Sequence, residues 1–551
     1  MNRFYINHIG FEVGQTARAL VDVSDQTITE VEVVDAAGWG TVKTITPGAS
    51  TEGFRQRRLA PLDLGELEVG RYILRCGEES SAPFLIRKNV LQELTTDAVL
   101  NYFYSQRCAA PWDTRDQKMG FTGSRVDQVD VSGGWYDASG DVSKYLSHLS
   151  YANFMNPQQT PMVVWGLLEN LERRPQHAAG TAERLKDEAR HGAEFLCKMQ
   201  DPAGYFYMTV FDQWSKFLDR RVICSYREQT GVLLDGYQAG YRQGGGVAIA
   251  ALARAGRVLE NKRYVDLARK GFEHLEAHNL QYLDDGQENI IDDYCALLAA
   301  TELFASTKDG FFLEKAKKRA LQLVARIQKE TSMKGWLRAD DKSRPYFHAA
   351  EAGLPVIALL RLKELDAADA EKWQAACESI MRFELEVTSE VDNPFGYARQ
   401  YIQDVHGDRR TQFFIPHENE TGYWWQGENA RLGSLAAAAA WVATETQDAE
   451  LKRKLRQYAQ DQLDWICGKN PYDSCMIYGF GHNNTSYQPQ WPSVLGGICN
   501  GITSSFEDET DVNFGRPDVE GDNGWRWYEQ WLPHATWYMV ALAHTDQALH
   551  S

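Results

Sequence analysis

Asp137 and Asp141 stand four residues apart in VSGGWYDASGDVSKYLSH, residues 131–148. Gly133, Gly134 and the Ala-Ser-Gly between the two acids disfavour a helix, so both carboxylates are expected to project from one tight loop. Such a pair can hold and polarise one water. One carboxylate takes its proton as general base, while the other orients the water and shares the negative charge. An Asx-turn pair capping the next element, or a calcium loop, would use the same residue types. A third acid, Glu529, sits among Trp525, Trp527, Tyr528 and Trp531 in DNGWRWYEQWLPHATWYMVALA. Indoles solvate a carboxylate poorly, which favours the protonated form and suits a general acid. The structural alternative is a first-turn glutamate that interacts with a helix dipole.

These parts match glycoside hydrolysis, in which one acid protonates the leaving oxygen and an opposed carboxylate activates water, about 6.5–9.5 Å away if configuration inverts. The chain that must position them changes character near residue 90. Before it, short runs such as ARALVDV, TITEVEVVDA and GRYILRC alternate with turn clusters, which predicts a small antiparallel sandwich over residues 1–89. After it, apolar residues recur at three and four, in runs such as GGGVAIAALARAGRVL and ENARLGSLAAAAAWVATE. That period predicts about a dozen long helices over residues 90–551, arranged as a ring of helix pairs without intervening strands. Long loops at 107–160, 201–245, 388–428 and 470–528 are where the chemistry is expected.

Composition narrows the partners. Over 551 residues, 58 basic and 76 acidic side chains give a net charge of −18, which disfavours nucleic acid and anionic membranes. Sixteen Trp and 25 Tyr suit stacking on sugars as well as filling a large core. The start, MNRFYINHIGFEV, lacks the pattern of a secretory signal, and nine scattered cysteines contain no C-x-x-C pair. Together these predict a cytoplasmic chain with reduced thiols. No H-E-x-x-H pair or P-loop is present, and DDGQE at 284–288 reads as a turn rather than a calcium loop. No metal and no cofactor are expected.

GGWYDASGD resembles the GGWYDAGD signature of glycoside hydrolase family 9, the family of many cellulases. INHIGFEVGQTARALV is similar to the opening of the immunoglobulin-like domain that often precedes the family's catalytic domain. WICGKNPYDSCMIYGFG resembles its GxNPxxxSYVxGFG segment, and EQWLPHATWYMVALA its terminal NExxxDYNAxxxxALA helix. The resemblance implies a mainly α fold, an (α/α)6 barrel behind an all-β immunoglobulin-like sandwich, and inverting hydrolysis of β-1,4 linkages. It implies Asp141 as general base, Asp137 as its partner and Glu529 as general acid. There are departures: DASGD carries one extra residue, Tyr528 and His534 replace asparagines, and HNNTSYQPQWP after Gly481 lacks the His-His-Arg cluster of many family endoglucanases.

The altered subsites point to short soluble oligosaccharides as the partner. Exo action is expected, with the loops at 201–245 and 388–428 as a wall. An exo-β-glucosaminidase stands slightly ahead of a β-glucosidase, with an endoglucanase and a non-catalytic sugar-binding protein as alternatives. Trp135, Tyr136, Trp424, Trp425, Trp527 and Tyr528 are expected to contact sugar. Glu428, with Glu418, Glu420 and Asp404, would attract a cationic sugar, or else pair with Arg409, Arg410 or Arg431. His348 and His482 would donate to hydroxyls, or lie partly buried as ordinary histidines.

Overall fold

The computed structural model describes residues 3–148, 156–174, 176–227, 230–329, 333–415, 426–505, 508–515 and 523–550. Residues 4–87 form two facing sheets. One runs in the order Phe4–Tyr5, Ala17–Asp22, Arg57–Gly65, Thr51–Gly53; the other runs Gly10–Glu12, Phe84–Arg87, Gly70–Cys76, Val31–Asp35, Thr41–Ile45. Alternation sends Ala17, Ala19, Val21, Val31, Val33, Leu62, Leu64 and Leu74 into the sandwich core, while Leu20 and Leu59 on the opposite face join the core of the helical region. Pairing is antiparallel except between Gly10–Glu12 and Phe84–Arg87, which run parallel. The expected wholly antiparallel sandwich is corrected there, because alternation of side chains carries no information about strand direction.

Among the described residues, twelve long helices follow in strict alternation. Val90–Ser105, Ala179–Lys198, Lys262–Tyr282, Gly310–Ala325, Ala370–Thr388 and Ala449–Ile466 bury one stripe and expose the rest. Thr160–Arg173, Gly246–Val258, Ile290–Thr307, Leu354–Lys363, Asn429–Glu445 and Leu532–His550 form the inner set, the first five buried along almost their whole length. Each inner helix packs on the next and the last on the first, which closes an (α/α)6 barrel. Ala436–Ala440 lets Asn429–Glu445 lie close against Leu532–His550.

Charges inside the ring are paired. Glu302 accepts from Arg361 Nε at 3.0 Å, Arg254 Nη1 at 3.3 Å and the Trp165 indole at 3.0 Å. Glu169 meets Arg254 Nη1 at 2.5 Å and His544 Nε2 at 2.9 Å. Five inner helices are thereby tied by one buried network.

Several elements depart from the sequence reading, among them short hairpins in the expected loops at 388–428 and 470–528; two departures bear on the site. Thr160–Arg173 lies where the periodicity singles out no helix; Pro161 occupies its first turn, a position that starts helices rather than ending them. Part of the expected loop at 201–245 is an antiparallel sheet in which Thr209–Phe211 pairs with Lys144–Tyr145 and Val222–Arg227. Its alternation in VICSYR is short, and easily lost beside long helical periods.

Candidate active site

The DASGD loop is fixed from two sides. Buried Lys144 reaches Asp116 at 2.6 Å and the carbonyls of Val131 and Gly133 at 2.7 and 2.8 Å. Arg221 holds the same aspartate through Nε at 2.6 Å and Nη2 at 2.9 Å, so these buried charges are paired and hydrogen-bonded. On the other side, the backbone of 137–139 is laced to 530–532. Ser139 N–H donates to the Gln530 carbonyl at 2.8 Å, Gln530 N–H to Ser139 Oγ at 2.9 Å, and Leu532 N–H to the Asp137 carbonyl at 3.2 Å. This lacing sets Glu529 beside the aspartates. Gly140 has φ +89°, and a Cβ there would fall 2.1 Å from the Gln490 carbonyl, so only glycine permits this approach.

The three acids differ in their bonding. Asp137 Oδ1 accepts the Trp531 indole N–H at 3.1 Å, and Oδ2 meets His148 Nε2 at 2.9 Å. His148 Nδ1 faces the Tyr226 hydroxyl at 3.1 Å. Asp141 Oδ1 accepts the amides of Val142 and Ser143 at 2.6 and 2.9 Å, whereas Oδ2 has a long contact of 3.4 Å with the Tyr145 hydroxyl. Oδ2 is thus the less engaged oxygen. Burial, then the charges of Asp212 and Asp137, push Asp141 up to about 6.

Glu529 lies in extended backbone between the short helix Trp525–Tyr528 and Leu532–His550, not in a first helical turn. Burial, then Asp137 and Asp141, hold its carboxyl well above the ordinary range, which favours the protonated form. Asn500 Nδ2 approaches it at 3.4 Å. Asn500 is itself held by Gln426 at 2.6 Å and His534 at 2.8 Å on Oδ1. The histidine that stands in the terminal motif therefore orients an asparagine next to the acid.

All three acids open onto one cavity of about 620 Å³, also lined by His148, Trp214, Lys216, Gln490, Trp491, Trp525, Arg526 and Trp531. A protonated carboxyl, a carboxylate with an available oxygen and four indoles in one cavity are fitted to proton-assisted cleavage of a ligand with apolar faces.

The other residues expected to touch sugar are placed elsewhere. Trp135 is fully buried, its indole donating to Glu188 at 3.2 Å. Tyr136 turns its hydroxyl to the backbone of Ala109. His348 is a core histidine whose Nδ1 accepts the amides of Ala350 and Glu351, each at 3.0 Å, and burial pushes it down to about 3. Glu428 is buried against Arg431 at 2.7 Å and the Tyr397 hydroxyl at 2.8 Å, and Asp404 pairs with Arg410 at 2.7 Å. Trp527 and Tyr528 are buried outside the cavity wall. Trp424 and Trp425, like Glu418 and Glu420, lie outside the described residues. Sequence reasoning passed over His148, Trp214, Lys216, Gln490 and Trp491 as ligands; the one signal pointing to them is membership of the DASGD segment or of the long loops.

Among the described residues, His8, Asp473 and His482 bring three metal-ligand types together. His482 N–H donates to His8 Nδ1 at 3.3 Å, which places the His8 proton on Nε2, toward Asp473 Oδ1 at 2.9 Å. The two imidazoles stack at 3.6 Å, with His482 Nε2 on Asp473 Oδ2 at 2.8 Å. Parallel rings do not converge on one ion, and a metal on Nε2 would displace the proton that makes the bond, so the group reads as a hydrogen-bonded clasp. His482 belongs to it rather than to the cavity. Asp285 and Glu288 of DDGQE are paired with Arg242 and Arg319.

The chain belongs to glycoside hydrolase family 9. The model described as Glycosyl hydrolase family 9 matches residues 93–492, a span that holds Asp137 and Asp141 and ends before Glu529. No curated protein matches the sequence. Among solved structures, a Bacteroides ovatus GH9 protein shares 19% identity with a TM-score of 0.67, covering 100% of this chain and 99% of its own. A metagenome-derived glycoside hydrolase family 9 endoglucanase shares 16% identity with a TM-score of 0.68 and 99% coverage of both chains. Endoglucanase CelQ from Clostridium thermocellum, solved with cellotriose, shares 19% identity with a TM-score of 0.51, covering 81% of this chain and 69% of its own. At these identities the structures show a common fold. Family membership makes the protein an inverting O-glycosyl hydrolase.

Proposed function

We propose that the protein cleaves β-1,4 linkages of short soluble oligosaccharides one sugar at a time, with Asp141 as general base, Asp137 orienting the water and Glu529 as general acid. The observation that supports this most is the shared cavity of three carboxyl groups, one of them pushed toward its protonated form by burial and by the other two. Glu529 gives its proton to the glycosidic oxygen as the bond to the anomeric carbon breaks. Asp141 Oδ2 takes a proton from the water that attacks the opposite face, releasing the α-anomer. Asp137, occupied on both oxygens, holds that water in line rather than accepting its proton.

Chitosan-oligosaccharides stand slightly ahead of cello-oligosaccharides as substrate. Asp137 and Asp141 would favour a cationic amine on the bound sugar, although Lys216 and Arg526 on the same wall temper that preference. The sandwich of residues 1–89 and the barrel of 90–551 are assigned as separate domains, the first helix starting at Val90. Nine unpaired cysteines support a cytoplasmic location; among the described residues no helix is long and apolar enough to cross a membrane. A second reading, endo-acting β-1,4-glucanase, is favoured by the structural relatives that are themselves endoglucanases. Early products from chitosan and cellulose pentamers separate the two. Monosaccharide and tetramer as the only early products support the first reading, whereas dimer and trimer as early products, or rapid viscosity loss on a soluble β-glucan ahead of reducing-end release, contradict it.

A further inference from the structure

Next to the carboxylates, the loop after Thr209–Phe211 is folded against backbone preference. Gln213, Trp214 and Lys216 all take left-handed conformations, with φ of 59°, 55° and 56°, which residues bearing a Cβ disfavour. Such geometry persists only where its surroundings hold it. The buried side chain of Asp212 supplies that hold. Its Oδ2 accepts the Lys216 N–H at 2.6 Å, and its carbonyl accepts the Ser215 hydroxyl at 2.6 Å. Its Oδ1 accepts the Ser143 hydroxyl at 2.6 Å, and Ser143 N–H in turn donates to Asp141 Oδ1 at 2.9 Å.

One carboxylate therefore grips two loops: the rim that presents Trp214 and Lys216 to the cavity and the segment that carries Asp141. Trp214 is seated edge-on against Phe211 at 5.1 Å and Tyr226 at 5.8 Å. It remains 42% exposed, as a stacking platform for a pyranose face requires. Asp212 does not line the cavity itself.

We infer that Asp212 is a positioning residue that locks the Trp214–Lys216 rim in its strained, sugar-ready form and fixes its place relative to Asp141. The inference rests on the proposed reading, that a sugar occupies this cavity and that Asp141 is the base. The lock also acts through space, since after burial the charge of Asp212 is the main influence raising Asp141.

The test compares Asp212→Asn, Asp212→Ala and Trp214→Ala with the wild type on the preferred oligosaccharide. Asparagine can keep both loops, with the Ser143 hydroxyl turning from donor to acceptor, but carries no charge. Its kcat/KM profile should lose activity at lower pH than wild type, the acid limb moving down by about half a pH unit or more, with KM within about twofold. Alanine releases both loops and should raise KM about tenfold and lower kcat about tenfold. Trp214→Ala should raise KM and leave the acid limb in place. An unmoved acid limb in Asp212→Asn overturns the inference, and it does so even if Asp212→Ala fails to fold. An unmoved KM in a folded Asp212→Ala also overturns it. Asp141→Asn and Glu529→Gln are assayed in parallel: activity retained in them overturns the acid and base assignment, whereas their inactivity beside unaltered Asp212 variants overturns the lock alone.

Discussion

His148 is the neighbour that orients Asp137. Its Nε2 lies 2.9 Å from Asp137 Oδ2, with Tyr226 at 3.1 Å on its other nitrogen. Replacing it with alanine removes the partner that fixes Asp137 Oδ2. His148→Ala is predicted to lower kcat about tenfold, because Asp137 loses the partner that orients it; steady-state kinetics check this. At this scale the sequence singled out the three acids, because the residue types carry the chemistry. It did not single out the walls. Trp135 and Tyr136 precede Asp137 directly, yet in an irregular loop adjacent side chains diverge, and Trp135 ends in the core. Trp214 and Trp491 arrive from loops far along the chain, a proximity that only the closed barrel creates.

The inner helices stand or fall together, because their buried charges are mutual partners. Glu302 binds Arg361, Arg254 and Trp165 from three other inner helices. Glu302→Ala leaves two guanidiniums buried without this partner and is predicted to cost about 3–5 kcal/mol, measurable by denaturant unfolding. At the element scale, most helices were legible from a 3.6-residue period. The exceptions are instructive. Thr160–Arg173 begins at the edge of an expected loop with Pro161 in its first turn, which reads as a breaker in sequence although it starts a helix. The sheet around Thr209–Phe211 consists of strands of six residues or fewer, too short to outweigh the loop-like residues between them.

Across the whole molecule, the sandwich is anchored to the barrel by aromatic packing and by the histidine clasp. Phe54 sits within 4.8 Å of Phe413 and 6.2 Å of Trp465, ring centre to ring centre, while His8 bridges to Asp473. Burial depresses the His8 pKa, and the two imidazoles depress Asp473 against its own burial. A histidine held below its unfolded value contributes stability above about pH 6.5 that is lost as pH falls; the Asp473 contribution is lost at lower pH still. Thermal unfolding should therefore show a His8→Asn variant losing less stability than wild type between about pH 7 and about pH 5. The sequence predicted a sandwich and a barrel but not this clasp, whose members are separated by most of the chain.

The central claim is that Asp141 and Glu529 act on opposite faces of a bound sugar. It is tested most directly by an NMR time course on cellobiose, cellotriose and the chitosan dimer and trimer, resolving the anomers released by wild type and by Glu529→Gln. The account predicts α-anomer first from the wild type and a loss of about a hundredfold or more in the variant. β-Anomer first, or hydrolysis by Glu529→Gln at the wild-type rate, would contradict it.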